Sequence, residues 1–172
     1  MKLIPFVELR QVFNYDCGSC AVVCCLASYD INVREDFVIQ VAGTSQEGTN
    51  TAGIIKVFDY FGLRTRSGKM TVRDLRHAID RGFPTIITLQ AYGDPKNYAT
   101  GYEDGHYVVA IGYSRRRIYF EDPSAYQRTF LGDQELLSRW HDIDQDNEKV
   151  INWGCTILKK TTFRTNHCIH MD

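Results

Sequence analysis

The chain has 172 residues, enough for one domain with a sizeable core and too few for two comfortable ones. Its formal net charge is −1, so there is no electrostatic case for binding nucleic acid or an anionic membrane surface. No apolar run approaches membrane-spanning length, and the N-terminus lacks a signal-peptide core. Four cysteines crowded onto one predicted helix make a poor disulfide framework. We therefore expect a cytoplasmic protein with reduced cysteines.

The predicted elements form a helical half followed by a β-rich half. Helices are predicted from Cys17 to about residue 28, over 33–41 with Asn32 as cap, from Thr49 or Asn50 to just before Gly62, and from a capping box at 71–74 to Gly82. Strands are predicted at 63–65, 84–89, 106–113, 118–121, 128–131 and 150–160, with a short helix capped by Asp133 and ending near Trp140. This order favours an α+β fold over a doubly wound parallel sheet. We expect a single domain over 1–172, with 165–172 as a flexible tail.

The stretch 11–27 carries the most informative pattern. Asp16 precedes an apolar run and is a natural N-cap, because its carboxylate can accept from the free amides of the first turn. Cys17 would then lie in that turn, where the amides and the helix dipole favour the thiolate, the nucleophilic form. Gln11 lies six residues earlier and can bring an amide donor beside the sulfur to stabilise an oxyanion. The pattern indicates an acyl-transfer site.

The same stretch permits other interpretations. Cys17 and Cys20 form a C-x-x-C pair, which leaves open a redox pair or half of a zinc site. No second C-x-x-C and no H-x3–5-H follows to support metal. Cys20, Cys24 and Cys25 fall in the apolar helix and are predicted to be packing residues.

A predicted hairpin supplies the partners that a nucleophilic cysteine needs. If 106–113 pairs with 117–122 around a turn of roughly three residues, His106 falls nearly opposite Asp122. Directly paired residues share a face and lie close enough for a carboxylate to orient an imidazole. A register shift of one residue would separate them. With Cys17 as nucleophile, these residues form the thiol version of a catalytic triad.

The loop from Gly93 to Glu103 leads into the histidine strand. It carries Tyr98 and Tyr102, and we expect it to line the substrate cleft as a mobile wall. Gly105 removes bulk just before the histidine. Asp104 is a second candidate for the orienting carboxylate, although a structural role in the turn suits it better.

The remaining histidines are weaker candidates. His77 lies among charges on a predicted helix face, and His141 lies at a helix end, where a cation is favourable. His167, Cys168 and His170 could ligate a metal, but no fourth ligand is nearby and chain ends usually fray. We therefore predict neither a metal site nor a cofactor.

Several motifs occur in an order typical of one family. They are Gln11…Asp16-Cys17-Gly18, Gly43-Thr44…Gly48-Thr49, Ala78-Ile79-Asp80-Arg81-Gly82-Phe83-Pro84, Gly105-His106-Tyr107-Val108-Val109-Ala110-Ile111-Gly112-Tyr113 and Asp122-Pro123. From about residue 5 to the final strand, the chain resembles the double-glycine leader peptidases, the bacteriocin-processing branch of the papain-like cysteine peptidases. The resemblance implies a papain-like fold, in which the cysteine helix packs on a sheet that bears the histidine and the aspartate.

The resemblance also implies residue roles. Gln11 would be the oxyanion donor, Cys17 the nucleophile, His106 the base and Asp122 its orienting partner, with small residues, glycine above all, before the scissile bond. The best-known members are N-terminal domains of export transporters. This chain shows neither membrane helices nor a nucleotide-binding loop, so it is identified as a free-standing relative.

One alternative concerns the nucleophile, and three concern the function. In papains proper the second cysteine of C-G-S-C is the nucleophile, which would nominate Cys20 with Asn14 as donor; no Trp or Tyr follows Cys20, so we favour Cys17. The predicted function is a cofactor-free cysteine peptidase that acts on a peptide or protein. An acyltransferase or amidase with the same triad, a non-catalytic peptide-binding module and a thiol-redox protein remain open. The sequence does not indicate the oligomeric state.

Overall fold

A seven-stranded antiparallel sheet organises the protein, whose computed structural model describes residues 1–144 and 147–165. The helices are α1 (Cys17–Ala27), α2 (Glu35–Ala42), α3 (Thr51–Tyr60), α4 (Val72–Asp80) and α5 (Asp133–Arg139). The strands are β1 (Lys2–Leu3), β2 (Thr65–Lys69), β3 (Thr85–Gln90), β4 (Gly105–Ser114), β5 (Arg117–Glu121), β6 (Thr129–Gly132), β7 (His141–Ile143), β8 (Lys149–Ile151) and β9 (Trp153–Ile157). The sheet order is β2-β9-β3-β4-β5-β6, with β1 also pairing with β4, while β7 and β8 form a separate hairpin. The predicted α+β class is confirmed.

Strand β4 is buried on both faces and separates two apolar clusters. Tyr107, Val109 and Ile111 belong to the cluster that contains α1, α2 and α3. Val108 and Ala110 belong to the other cluster, which includes side chains of α4 and α5. This division follows from the alternation of side chains along a strand. Neighbouring residues of β4 therefore face different parts of the molecule.

Helix α1 is enclosed by protein along almost its whole length. Every residue from Cys17 to Leu26 is buried, as expected for a helix that is apolar on all sides. Its first turn lies against the beginning of β4, because a Cβ on Gly18 would come within 3.1 Å of the Tyr107 ring and 2.8 Å of the Thr49 side chain. The glycine after Cys17 thus permits the close approach of helix and strand.

Two predicted helix starts are confirmed by their caps. The Asn50 side chain accepts from the Gly53 amide at 2.7 Å and begins α3. At α4, the Thr71 hydroxyl accepts from the Asp74 amide, and the Asp74 carboxylate accepts from the Thr71 amide. Both caps are local interactions between residues three apart, and this explains why the sequence reveals them.

Other predicted boundaries are wrong. Helix α2 begins at Glu35 after Arg34, so Asn32 is not its cap. Asp133 is the first residue of α5 and not its cap. The short strand predicted at 63–65 is instead β2, which begins at Thr65 and is defined by its pairing with β9.

The final strand predicted over 150–160 is two strands. Asn152 takes a left-handed conformation with φ +52° and ends β8 before β9 begins. The two strands pair with different partners, β7 and the main sheet. Of the expected tail over 165–172, only residue 165 is among the described residues, and the candidate ligands His167, Cys168 and His170 lie outside them. Within the described part of the chain, no helix combines the length and apolarity needed to cross a membrane.

Candidate active site

The first residue of α1 meets the second residue of β4. Cys17 is 9% exposed and His106 is 5% exposed. The Cys17 thiol lies close enough to the His106 side chain to raise the pKa of the imidazole. The helix N-terminus and the start of the central strand thereby bring together two residues that are distant in sequence.

Asp122 holds the other side of the imidazole. His106 Nε2 lies 2.8 Å from Asp122 Oδ1, and because a carboxylate can only accept, Nε2 carries the proton of this bond. The ring nitrogen left for the Cys17 thiol is Nδ1. The same aspartate oxygen accepts from the Ser124 amide at 3.0 Å. The three side chains thus lie in series, with His106 between Cys17 and Asp122.

A β-bulge puts Asp122 on the same face as His106. The hairpin turn has two residues and not the roughly three predicted, and a bulge in β4 shifts the register. Val109 pairs with Glu121, so the next position, Asp122, falls opposite Val108. His106 and Val108 share a face, which makes His106 and Asp122 diagonal neighbours. Without the bulge, Asp122 would fall opposite Val109 and on the other face.

The surroundings favour the charged forms of both partners. Burial lowers the pKa of His106, but its hydrogen bonds to Asp122 and Cys17 outweigh this effect and raise the pKa to about 9. Burial also disfavours the Asp122 carboxylate, yet hydrogen bonds from His106, Tyr92 and the Ser124 amide hold the pKa of Asp122 below its ordinary value. At neutral pH the pair is therefore an imidazolium and a carboxylate.

Asp16 stands at the N-cap position but does not cap α1 with its side chain. Its Oδ2 accepts from the backbone amides of Val12 at 3.2 Å and Phe13 at 3.0 Å. The prediction that it accepts from the first-turn amides is therefore wrong. The preceding loop offers two amides within reach, and the carboxylate binds these instead. Asp16 accordingly fixes the loop that leads from Gln11 to Cys17.

Gln11 links this loop to the residues after Asp122. Its Nε2 donates to the Phe13 carbonyl at 2.6 Å, and its Oε1 accepts from the Ser124 hydroxyl at 2.7 Å. Its backbone amide donates to the Pro123 carbonyl at 3.0 Å. Among the described contacts, no hydrogen bond joins Gln11 to Cys17.

A cavity of about 510 Å³ opens beside Cys17. Gly105 and Tyr102, two of the predicted substrate-binding residues, line it. The Asp142 carboxylate occupies the space that a Cβ on Gly105 would need, which accounts for the glycine. Four carboxyl side chains are among the lining residues: Glu47, Glu103, Asp142 and Asp144. None of the described lining residues is basic.

Tyr98, the third predicted substrate-binding residue, lies in a different cavity. This second cavity measures about 340 Å³ and is lined by His106, Asp122, Arg139 and mainly apolar and aromatic side chains. Tyr98 is buried, and its hydroxyl donates to the Gly93 carbonyl at 2.9 Å. The two tyrosines of the loop therefore lie near different members of the site, Tyr102 near the cysteine and Tyr98 near the histidine.

The other candidates from the sequence occupy structural positions. Cys20 is buried, and its hydrogen bond to Cys24 together with burial raises the pKa of its thiol, so it stays protonated. The Asp104 amide donates to Gln90 Oε1 at 3.0 Å, in keeping with a role in the turn. The described residues contain no cluster of three or more His, Cys, Asp or Glu that could hold a metal ion.

The sequence reasoning missed two side chains that bind Asp122. The Tyr92 hydroxyl donates to Asp122 Oδ2 at 2.6 Å, and the Thr129 hydroxyl donates to the same oxygen at 3.0 Å. Tyr92 is 30 residues from Asp122 in sequence, so no local pattern could have revealed the contact. The hydrogen bond from the Ser124 amide to Asp122, in contrast, belongs to an Asp-Pro-Ser turn that the sequence could have indicated.

Comparison with known proteins gives consistent matches. The Peptidase C39 family model matches residues 6–143. An uncharacterized protein of Methanothermobacter thermautotrophicus is 29% identical over 133 residues, which cover 77% of this chain and 81% of that protein. The peptidase domain of Streptococcus ComA, a bifunctional ABC transporter involved in quorum sensing, superposes with a TM-score of 0.67 at 20% identity, covering 92% of this chain and 98% of that domain. A double glycine motif protease from an AMS/PCAT transporter, solved in complex with the leader peptide, superposes with a TM-score of 0.63 at 19% identity, covering 91% of this chain and 92% of that chain.

Proposed function

Because the chain belongs to the Peptidase C39 family, and is thus a cysteine peptidase, we propose that it cleaves peptide bonds through a thioester formed on Cys17. His106 is the general base and acid, and Asp122 orients its imidazole. The observation that carries this proposal is the position of His106, which is hydrogen-bonded to Asp122 and lies close enough to the Cys17 thiol for the thiol to raise its pKa. No cofactor takes part.

The chemistry proceeds in two steps. With its proton on His106, the Cys17 sulfur attacks the scissile carbonyl, and the imidazolium then protonates the departing amine. A water molecule next gives its proton to the neutral imidazole and attacks the thioester, which releases the acid and restores the thiol. Asp122 stabilises the imidazolium that recurs in both steps.

Gln11 and a backbone amide stabilise the oxyanion in this proposal. The Cys17 amide is in the first turn of α1, where amides have no partner within the helix. The Gln11 amide group has two N–H donors, and its bond to the Phe13 carbonyl uses one of them. The second remains available to the oxyanion. The bond from Ser124 to Gln11 Oε1 supports this role, because it anchors the amide group.

The proposed substrate is a peptide or protein with small residues, such as a double glycine, before the scissile bond. The structural neighbour that was solved with a leader peptide supports a peptide substrate. Gly105 and Tyr102 line the cavity beside Cys17 and would contact the bound segment. Tyr98 would support the same loop from the second cavity. The five buried free thiols among the described residues fit a reducing compartment, such as the cytoplasm.

Mass spectrometry of peptides tests the proposal. Peptides derived from a proteome are incubated with the protein, and the new termini are identified. We expect cleavage after small residues by the wild type and by Cys20→Ala, and none by Cys17→Ala. Products that join two peptides would show acyl transfer in place of hydrolysis. New termini that persist in Cys17→Ala would rule out Cys17 as the nucleophile.

A further inference from the structure

We propose that Tyr92 is a positioning residue for the peptidase reaction, which binds Asp122 and covers the His106–Asp122 hydrogen bond against water. The inference rests on the proposed function, since it assigns Tyr92 to the same reaction. Nothing in the sequence pattern of the site includes this tyrosine.

Tyr92 contacts both members of the pair. Its hydroxyl donates to Asp122 Oδ2 at 2.6 Å, while Asp122 Oδ1 bonds His106 at 2.8 Å. Its ring lies edge-on to the imidazole, with 5.2 Å between centroids and an interplanar angle of 80°. One side chain thus fixes the free oxygen of the carboxylate and covers one side of the imidazole.

The backbone conformation of Tyr92 favours a functional role for this residue. Its φ is +67°, a left-handed conformation that is unusual for a bulky residue. Gly93, the next residue, does not have a positive φ, although glycine would adopt one freely. The Tyr92 side chain is also 60% exposed, so burial does not explain the position. What the side chain gains there is its contact with Asp122 and His106, and such outliers occur often at functional sites.

Covering the pair strengthens the electrostatic attraction within it. Water at the carboxylate would compete for its oxygens and screen the charge that holds the proton on His106. The titratable and charged groups around the His106 ring, besides Tyr92 itself, are Cys17 from α1, Asp122 after β5, Tyr98 from the same loop and Arg139 at the end of α5. Of these, Asp122 is hydrogen-bonded to the imidazole, and Cys17 is the other group that raises its pKa.

The fold does not depend on the Tyr92 hydroxyl. Thr129 also donates to Asp122 Oδ2, so that oxygen keeps a partner when Tyr92 is replaced. Glycine suits the left-handed backbone, so Tyr92→Gly removes the ring and the hydroxyl without backbone strain. Tyr92→Phe removes only the hydroxyl. Tyr126→Phe is the matched control, because Tyr126 is 93% exposed and lines neither cavity.

The test measures inactivation by iodoacetate from about pH 5 to about pH 10. This anionic reagent alkylates the thiolate fastest while the neighbouring imidazolium is charged, so the wild-type rate should fall as His106 loses its proton near pH 9. In Tyr92→Gly we expect this decline of the alkylation rate to occur at a lower pH, by roughly half a pH unit or more. Tyr92→Phe keeps the covering ring and loses only a donor to the carboxylate, so its decline should stay at the wild-type pH or move slightly higher. Tyr126→Phe should not move it. The melting temperature of Tyr92→Gly should stay close to that of the wild type, because relief of the left-handed backbone offsets the weaker binding of the His106 proton.

Two different results separate this inference from the proposed function. If the alkylation rate of Tyr92→Gly declines at the wild-type pH, or if Tyr92→Phe shifts the decline to lower pH as much as Tyr92→Gly does, the covering role of Tyr92 is overturned. A wild-type profile identical to that of His106→Ala would instead overturn the Cys17–His106 pair, and with it the proposed function.

Discussion

At the scale of single residues, the candidate chemistry depends on one proton held by His106. The imidazole lies between the Cys17 thiol and the Asp122 carboxylate, and both raise its pKa against the effect of burial. A proton there is available to the leaving group after the sulfur has attacked. The strength with which His106 binds this proton, and the groups that stabilise the charge created by the attack, therefore determine the rate.

The free energy of unfolding should depend on how strongly His106 binds this proton. The pKa of His106 is raised from 6.5 to about 9 in the folded state. The corresponding stabilisation, about 3 kcal/mol, is fully present below pH 6.5 and is lost as the pH rises through about 9. In Asp122→Asn most of this decline should disappear. Urea unfolding of both proteins between those pH values measures the difference, and parallel curves for the two proteins would contradict the pairing.

Gln11 should affect turnover without affecting the thiol. Gln11→Ala removes a donor to the oxyanion, so turnover should fall on the order of a hundredfold or more. The alkylation rate of Cys17 should remain close to that of the wild type, because no described hydrogen bond joins the two side chains. Ser124→Ala, which frees Gln11 Oε1, should give a smaller loss of turnover. Unchanged turnover in Gln11→Ala would remove it from the mechanism.

The sequence indicates some of these residues better than others. Cys17 was predicted from a helix start, which is a local pattern. The proximity of His106 and Asp122 was predicted from hairpin spacing, but with a longer turn and without the bulge that puts the two on one face. The role of Asp16 was mistaken, since its carboxylate can reach amides on either side and the sequence does not decide between them. Tyr92 reaches Asp122 only through the tertiary fold, and no sequence pattern marks it.

At the scale of elements, the junction between β4 and the loop before it is tightly packed. The Asp142 carboxylate lies where a Cβ on Gly105 would be. Gly105→Ala should therefore displace the start of β4, cost about 1–3 kcal/mol of stability and lower activity by more than tenfold. Gly132→Ala is the matched control, because its nearest neighbour would be 3.8 Å from the new Cβ and its φ of −67° suits alanine. Thermal melting and peptide cleavage measure both effects, and equal behaviour of the two variants would contradict the packing argument.

Elements were predictable where local interactions define them. The Thr71–Asp74 capping box and the Asn50 cap lie within four residues of sequence and were foreseen. The division of the last predicted strand at Asn152 was not, because it depends on pairing with β7 on one side and the main sheet on the other. The β4 bulge that brings Asp122 to the face of His106 has the same kind of cause: the partner strand and the core determine it.

At the scale of the whole molecule, the charge of the cavity beside Cys17 bears on substrate choice. Its described lining holds four carboxyl side chains and no basic one. A peptide with glutamate next to the small residues should therefore be cleaved more slowly than its lysine counterpart, with a ratio that shrinks as salt is added. Equal rates at low salt would show that the cavity does not hold this part of the substrate.

The loop over 93–103 should also contribute to substrate choice. Tyr102 and Glu103 line the cavity at Cys17, while Tyr98 lies with His106. Replacing the loop by a short linker should raise KM and lower the preference for small residues, because one wall of the cavity is lost. Cleavage of a matched peptide pair, with glycine or leucine before the scissile bond, measures the preference. Full activity and unchanged selectivity after the replacement would contradict the assignment.

The central claim, that Cys17 is the nucleophile and His106 activates it, is tested most directly by mapping brief iodoacetamide modification with mass spectrometry. We expect Cys17 to be alkylated first, with loss of activity in step with its modification, while Cys20 stays unmodified because its thiol is buried and protonated. His106→Ala should slow the reaction at Cys17, and Cys20→Ala should leave it unchanged. Alkylation of Cys20 in step with the loss of activity, with Cys17 unmodified, would contradict the account.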